Sequence, residues 1–198
     1  MDERLIVGVL AGGEGRRMGG VKALRPFRGA TLLSHAVARA RAWSPDIVVV
    51  VRDAAQAAAV TDAPLTLDRP EIPGPLAGLA AALAYAQTQG AGLVQTLPCD
   101  MPWLPDDLPG RLRSAMGAQA LAALPRAAGE LQPVCGLWRP AALDELPAYL
   151  ASGATSLRGF AAACGACVAD YPDAAAPRFR GANTLEELAR LETPPSEG

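Results

Sequence analysis

Lysine and histidine are almost missing from this sequence. Among its 198 residues there is one of each, Lys22 and His35, and every remaining basic side chain is an arginine. Lysine is therefore dispensable over most of the chain, and the place where it does occur gains weight. An excess of positive charge is missing too: acidic residues number 20 against 18 basic ones, and the arginines are scattered apart from Arg16 and Arg17. Such a balance implies no basic face for nucleic acid. No apolar run approaches the ~20 residues that span a bilayer. The first run, Leu5 to Leu10, is too short for the apolar region of a signal peptide and follows acidic residues, so a cytoplasmic protein without a membrane partner is expected. Cysteine is sparse. Of Cys99, Cys135, Cys164 and Cys167 only the last two form a C-x-x-C pair, and no histidine stands near them to complete a zinc site. Reduced and mostly buried thiols are expected.

What is present is apolar: 51% of the residues, enough to build the core of one domain over 1–192, with a disordered tail over 193–198. Leu5 to Leu10 reads as a buried parallel strand opening onto a glycine-rich loop. Apolar residues at helical spacing predict a helix over Leu32 to Trp43. Ile47 to Val51 is an unbroken β-branched run and the clearest buried strand. Asp53 to Val60 reads as helical, Leu65 to Leu67 as a short strand ending at Asp68, and Leu76 to Gln89 as a helix with Pro75 in its first turn. Leu93 to Leu97 is a further strand, stopped by Pro98. Asp106 is a candidate cap for a helix toward Met116. Leu121 to Leu124 and Val134 to Trp138 read as strands, Ala141 to Leu150 and Thr155 to Ala163 as helices. Thr184 and Glu187 form a capping box before a last helix to Leu191. Strands alternating with helices predict an α/β sandwich with a largely parallel sheet. Ligands of such sheets bind beyond the carboxyl ends of the strands, where the glycine loop, Asp68 and Asp100 would share one rim.

The loop between Leu10 and Lys22 contains Gly12, Gly13, Gly15, Arg16, Arg17, Gly19 and Gly20. It fails the dinucleotide fingerprint, because Met18 stands where a glycine is needed, and it fails the Walker A pattern, because Val21 separates Gly20 from Lys22 and Ala23 follows. It still suits a triphosphate: glycines let backbone N–H groups approach phosphate oxygens, and Arg17 and Lys22 add full charges. Asp100, held between Pro98 and Pro102 after a strand, is placed either to bind Mg²⁺ or to serve turn chemistry. Asp68 could accept hydrogen bonds from a base or sugar, or simply end its strand. The small residues of Gly74-Pro75-Leu76-Ala77-Gly78 could admit a flat base or allow close packing. His35 lies in a predicted helix and reads as structural.

Taken together, LAGGEGRRMGGVKAL, PGPLAGL, LPCDMPWLP, QPVCGLW and ANTLEELARL resemble the molybdenum cofactor guanylyltransferases, over nearly the whole chain. The resemblance implies a three-layer α/β/α sandwich, a Rossmann-like nucleotidyltransferase fold. It implies transfer of GMP from Mg-GTP to the terminal phosphate of molybdopterin, with release of pyrophosphate. By position, the nucleotide loop falls on Leu10, Ala11, Gly12 and Gly13, with Arg17 close by. The phosphate-binding lysine falls on Lys22, a nucleotide-contacting aspartate on Asp68, and the metal-binding aspartate on Asp100. Asn183 falls in a segment implied to face the acceptor. The double glycine after Leu10-Ala11 favours guanine over the cytosine of related enzymes.

Three departures stand out. Val21 replaces an aspartate, Arg52-Asp53 stands where an asparagine is usual, and Gly181 replaces the first of two asparagines. The reaction expected is attack by an ionised substrate phosphate on the α-phosphorus, which needs no general base and suits a chain with one histidine. Arg158, Arg178 and Arg180 are candidates to grip the anionic acceptor. Molybdoenzyme maturation proteins are further expected partners. The alternatives are a relative using CTP or another phosphorylated acceptor, and a nucleotide-binding module without turnover.

Overall fold

The computed structural model describes residues 3–12 and 21–195, with the side chain of Gln56 set aside. In chain order the elements are β1 (Leu5–Leu10), a 3₁₀ turn (Lys22–Leu24), β2 (Pro26–Phe27), β3 (Ala30–Thr31), α1 (Leu32–Trp43), β4 (Ile47–Val51) and α2 (Ala54–Ala58). There follow β5 (Leu65–Leu67), α3 (Leu76–Thr88), β6 (Leu93–Pro98), α4 (Leu108–Ala115), β7 (Ala122–Ala127) and β8 (Glu130–Leu131). After a second 3₁₀ turn (Pro133–Cys135) come β9 (Leu137–Trp138), α5 (Ala142–Ala151), α6 (Leu157–Ala163), β10 (Cys167–Tyr171), a 3₁₀ helix (Asp173–Phe179) and α7 (Leu185–Leu191).

One sheet runs in the order β10–β7–β9–β6–β1–β4–β5, with β8 beside β7. The pairs β1–β4, β1–β6, β4–β5 and β7–β10 are parallel, whereas β9 is antiparallel to both β6 and β7. Helices cover both faces, as the continuous apolar strands require. Even in the all-valine stretch of β4 the period of two holds: Ile47, Val49 and Val51 join the core against α1, α2 and α4, while Val48 and Val50 face α3. α3 is buried over much of its circumference by Leu76, Leu79, Ala80, Ala82, Leu83 and Ala86, which is why its sequence is apolar all round. A third, smaller cluster joins Phe27 of β2, Leu32 of α1 and Leu188 and Leu191 of α7.

Local sequence explains several boundaries. Thr31 caps α1 by accepting from Ser34 N–H at 3.1 Å, and Thr184 caps α7 by accepting from Glu187 N–H at 3.1 Å. Ser156 caps α6 in the same way, so that helix begins at Leu157, two residues later than the expected Thr155.

Other expectations are corrected. The residue before α4 is Asp107, not Asp106, and it makes no capping bond; its carboxylate instead takes Arg111 and the Tyr171 hydroxyl, while Asp106 pairs with Arg39 of α1. Val134 to Trp138 is not one strand: Pro133 starts a 3₁₀ turn, and only Leu137 and Trp138 pair with neighbours. The strand expected over Leu121 to Leu124 runs on to Ala127, because β10 pairs with it to that point. The hairpin β2–β3, β8 and β10 have no counterpart in the sequence reading.

Candidate functional site

The sheet register builds the site. Leu10 pairs with Val50 on one side and Pro98 on the other, and Val51 pairs with Leu67. The ladder continues one step further, through Ala11 N–H to Val50 O, Asp68 N–H to Val51 O and Cys99 N–H to Leu10 O. Gly12, Arg52, Asp68 and Asp100 therefore leave the parallel strands at the same level, on the carboxyl-end rim where α/β sheets bind ligands. A groove of about 310 Å³ opens there, lined in part by Gly12, Lys22, Arg52, Asp68, Gly78 and Asp100. Leu10 also lines it; Ala11 is buried and borders an adjoining apolar hollow behind Gly12, against Leu33, Val51 and Ala57. Gly13 and Arg17 lie outside the described residues.

At one end of the groove the ammonium of Lys22 sits on the carboxylate of Asp100. Both side chains are largely buried, with 12% and 19% of their surfaces exposed. Lys22 Nζ also donates to Asn183 Oδ1 at 2.9 Å. The segment before α7 closes over Asp100: Ala182 N–H donates to the Asp100 carbonyl at 3.3 Å, and a Cβ on Gly181 would lie 3.2 Å from Asp100 Oδ2. The glycine that replaces the expected asparagine thus leaves room for the carboxylate.

At the other end Asp68 is tucked against the glycine strand end. A Cβ on Gly12 would lie 2.8 Å from Asp68 Oδ2, closer than carbon and oxygen tolerate, so this position admits only glycine without a shift. Asp68 accepts from Arg69 N–H at 3.0 Å, and the Arg52 guanidinium stands 3.7 Å from its other oxygen. Gly78, in the first turn of α3, lets that helix approach Leu10 and Asp68.

Charge on this rim acts on the neighbouring thiols. Burial, reinforced by the Asp100 carboxylate, pushes the Cys99 thiol up to about 12, and the same two causes raise Cys135 still further. Both stay protonated and take no part as thiolates at neutral pH. The C-x-x-C residues are divided by the sheet: Cys164 packs with α3, α5 and α6, whereas Cys167 packs on the opposite face and accepts from Gly117 N–H. All four cysteines are free.

The donor set fits a divalent cation of one kind. Among the described residues no group of three or more His, Cys, Asp or Glu side chains forms a metal cage. Among the described residues Asp100 offers a carboxylate beside Lys22, at the far end of the glycine loop. A hard cation that keeps water and phosphate oxygens in its shell, as Mg²⁺ does, needs no more than one or two protein carboxylates.

Other candidates lie elsewhere. His35 donates from Nε2 to the Phe27 carbonyl at 2.9 Å and packs edge-on against the Phe27 ring, a structural role. Arg178 faces Arg39, whose guanidinium is lowered by burial and by that neighbour. Arg180 is exposed just before Gly181, and Arg158 lies on α6. None of these three arginines belongs to the groove lining. The sequence reading missed the Arg52–Asp68 approach, the Val134 side of the groove and the contact of Asn183 with Lys22. The first was within reach, since Arg52 directly follows a strand on the ligand rim.

Residues 7–182 match the MobA-like NTP transferase domain family. The molybdenum cofactor guanylyltransferase of Cereibacter sphaeroides is 38% identical over 192 residues, covering 96% of each chain. Among solved structures, the molybdopterin-guanine dinucleotide biosynthesis protein A of Archaeoglobus fulgidus superposes with a TM-score of 0.75 at 26% identity, over 94% of this chain and 96% of that one. A Mycobacterium tuberculosis protein in complex with manganese shares the fold, with a TM-score of 0.64 at 18% identity over 95% and 97%. The mostly parallel sheet, the ligand rim and these similarities agree: this chain belongs to the MobA-like NTP transferase family and is a nucleotidyltransferase.

Proposed function

We propose that the chain transfers GMP from GTP to the terminal phosphate of molybdopterin and releases pyrophosphate. The observation that carries this reading is the meeting of Lys22 and Asp100 at the end of a groove that Gly12 and Asp68 also line. The names of the relatives support the guanylyl group and the molybdopterin acceptor.

In this scheme Leu10, Ala11, Gly12 and Gly13 receive the nucleotide, with backbone rather than side chains against it. Asp68 accepts hydrogen bonds from the nucleoside. Lys22, with Arg17, holds the triphosphate. An acceptor phosphate oxygen forms a bond to the α-phosphorus as the bond to the bridging α–β oxygen breaks, and pyrophosphate carries away the electron pair. The chain's contribution is alignment and charge neutralisation. A cation and an anion ~4 Å apart gain on the order of 4 kcal/mol at an effective dielectric of ~20, most useful as charge builds on the leaving group. Asp100 would hold a divalent cation, which when bound supplies further neutralisation of the phosphates.

The test pairs Lys22→Ala and Asp100→Ala with the wild-type protein, assaying pyrophosphate release with GTP, Mg²⁺ and molybdopterin. Each variant is expected to lose orders of magnitude in transfer while melting as a folded protein. Wild-type turnover in either one refutes the scheme, and a parallel binding screen of the four nucleoside triphosphates tests the choice of guanine.

A further inference from the structure

We propose that Glu187 is a positioning residue for Lys22, acting through Asn183; the inference rests on Lys22 being the phosphate-binding group described above. The observation is a relay of two hydrogen bonds running from the first turn of α7 to the ammonium. Glu187 Oε2 accepts from Asn183 N–H at 2.6 Å, and Asn183 Oδ1 accepts from Lys22 Nζ at 2.9 Å.

The first bond departs from ordinary capping. In a capping box the glutamate at the third helical position reaches back to the N–H of the cap residue itself. The cap residue here is Thr184, which already satisfies Glu187 N–H with its hydroxyl. The Glu187 carboxylate instead reaches one residue further, to Asn183. It therefore fixes the backbone of the residue whose side chain meets Lys22. The next backbone N–H along, that of Ala182, bonds to the carbonyl of Asp100. One short stretch of chain thus registers both charged groups of the site. Its far end is tied down independently, through Trp103 Nε1 donating to the Leu191 carbonyl at 2.8 Å.

The relay also gives Asn183 a role distinct from gripping the acceptor. Its side-chain carbonyl is engaged by Lys22, and a carbonyl can only accept. An ammonium has three N–H donors; with one on Asp100 and one on Asn183, its remaining donor direction is set by the other two. Loss of the Glu187 carboxylate would free Asn183 and, with it, the aim of Lys22. The helix itself keeps its Thr184 cap, so the fold does not depend on this bond.

Because Lys22 is the chain's only lysine, its side chain can be watched alone. The experiment measures the rate at which an acetylating ester modifies Lys22, mapped by mass spectrometry, and the single lysine Nζ signal in ¹⁵N-lysine-labelled protein. The variants are Glu187→Ala, Glu187→Gln and Asn183→Ala, with melting followed in parallel. Glu187→Ala and Asn183→Ala are expected to raise the Lys22 modification rate several-fold and to shift its signal. Glu187→Gln, which keeps an accepting oxygen, is expected to behave as wild type. In the transfer assay Glu187→Ala is expected to lower kcat about tenfold with the acceptor KM unchanged, as misalignment of a group acting in the transition state would do. An unchanged Lys22 rate and signal in Glu187→Ala overturns the inference whatever the transfer assay shows. A rise confined to the acceptor KM with Lys22 unmoved overturns it in favour of acceptor binding. Absence of transfer by the wild-type protein would count against the functional reading alone, since the lysine measurements do not depend on turnover.

Discussion

Replacing Lys22 by methionine is expected to make the nucleotide-free protein bind divalent cations more tightly while abolishing transfer. The reasoning starts from the ion pair. The Lys22 ammonium sits on the Asp100 carboxylate, and both groups are mostly out of solvent. Two unit charges ~4 Å apart at an effective dielectric of ~20 attract by about 4 kcal/mol. Residual solvent and the cost of desolvating the pair remove a good part of this, and about 2 kcal/mol is a fair net figure. A cation approaching Asp100 must overcome that attraction, and removing the ammonium should therefore tighten binding about 30-fold, at 1.36 kcal/mol per decade. Mn²⁺ titration followed by electron paramagnetic resonance gives the free-ion concentration directly. The order should reverse with GTP present: wild type is expected to bind Mn²⁺–GTP more tightly than Lys22→Met, because the ammonium then serves the phosphates. Lys22→Met/Asp100→Asn should lose the gain. Equal Mn²⁺ affinity of wild type and Lys22→Met without nucleotide, or a gain that survives Asp100→Asn, would refute the argument.

Gly12→Ala places a methyl group 2.8 Å from Asp68 Oδ2 and should push that carboxylate away from the groove, lowering GTP affinity at least about tenfold while melting changes little; isothermal titration calorimetry decides it. The thiols give a pH dependence whose sign is fixed. An unfolded cysteine titrates near 8.5, whereas Cys99 in the fold holds its proton to about 12, so the unfolded chain alone loses it in between. Stability is then full below pH ~8.5 and falls as pH rises toward 12, by ~1.4 kcal/mol per pH unit for this one group. Urea midpoints at pH 7.5 and pH 10 measure the fall, and midpoints that coincide would contradict the burial of these thiols.

Elements whose reason for existing is local were legible from sequence. The residues of β1, α1, β4 and β5 coincide with the expected segments, because an unbroken β-branched run or a helical apolar stripe bounded by Thr31 and Ser44 leaves little choice. Elements that depend on a distant partner were not. Cys167–Tyr171 carries Asp170 in mid-strand, and its strand character comes from pairing with β7 and from the Arg126–Asp170 ion pair, 44 residues apart in sequence. The adjacent Asp106 and Asp107 cannot be told apart as caps without knowing that Arg39 lies opposite the first. The site divides in the same way. Lys22 could be named because it is the chain's only lysine and closes a glycine-rich loop, and Asp68 and Asp100 because each follows a parallel strand, a position the chain order reveals. The contact between Lys22 and Asn183 spans 161 residues and leaves no mark in local pattern. Gly181 looked like a missing asparagine in the sequence; the proximity of Asp100 gives it a steric reason.

The shortness of β9 has a mechanical consequence. Among the described residues, the half of the sheet that carries the ligand rim is joined to the half formed by β7 and β10 through Leu137 and Trp138, with one further backbone bond from Thr96 N–H to the Gly136 carbonyl. The buried Gln95 amide reinforces this narrow seam by donating to the carbonyls of Cys135 and Gly136, much as a rivet does beside a short weld. Tension applied across the sheet would concentrate there, and so would the first cooperative opening in native-state deuterium exchange. The protein should come apart as two pieces along that line, with β1, β4 and β6 the last to let go of one another.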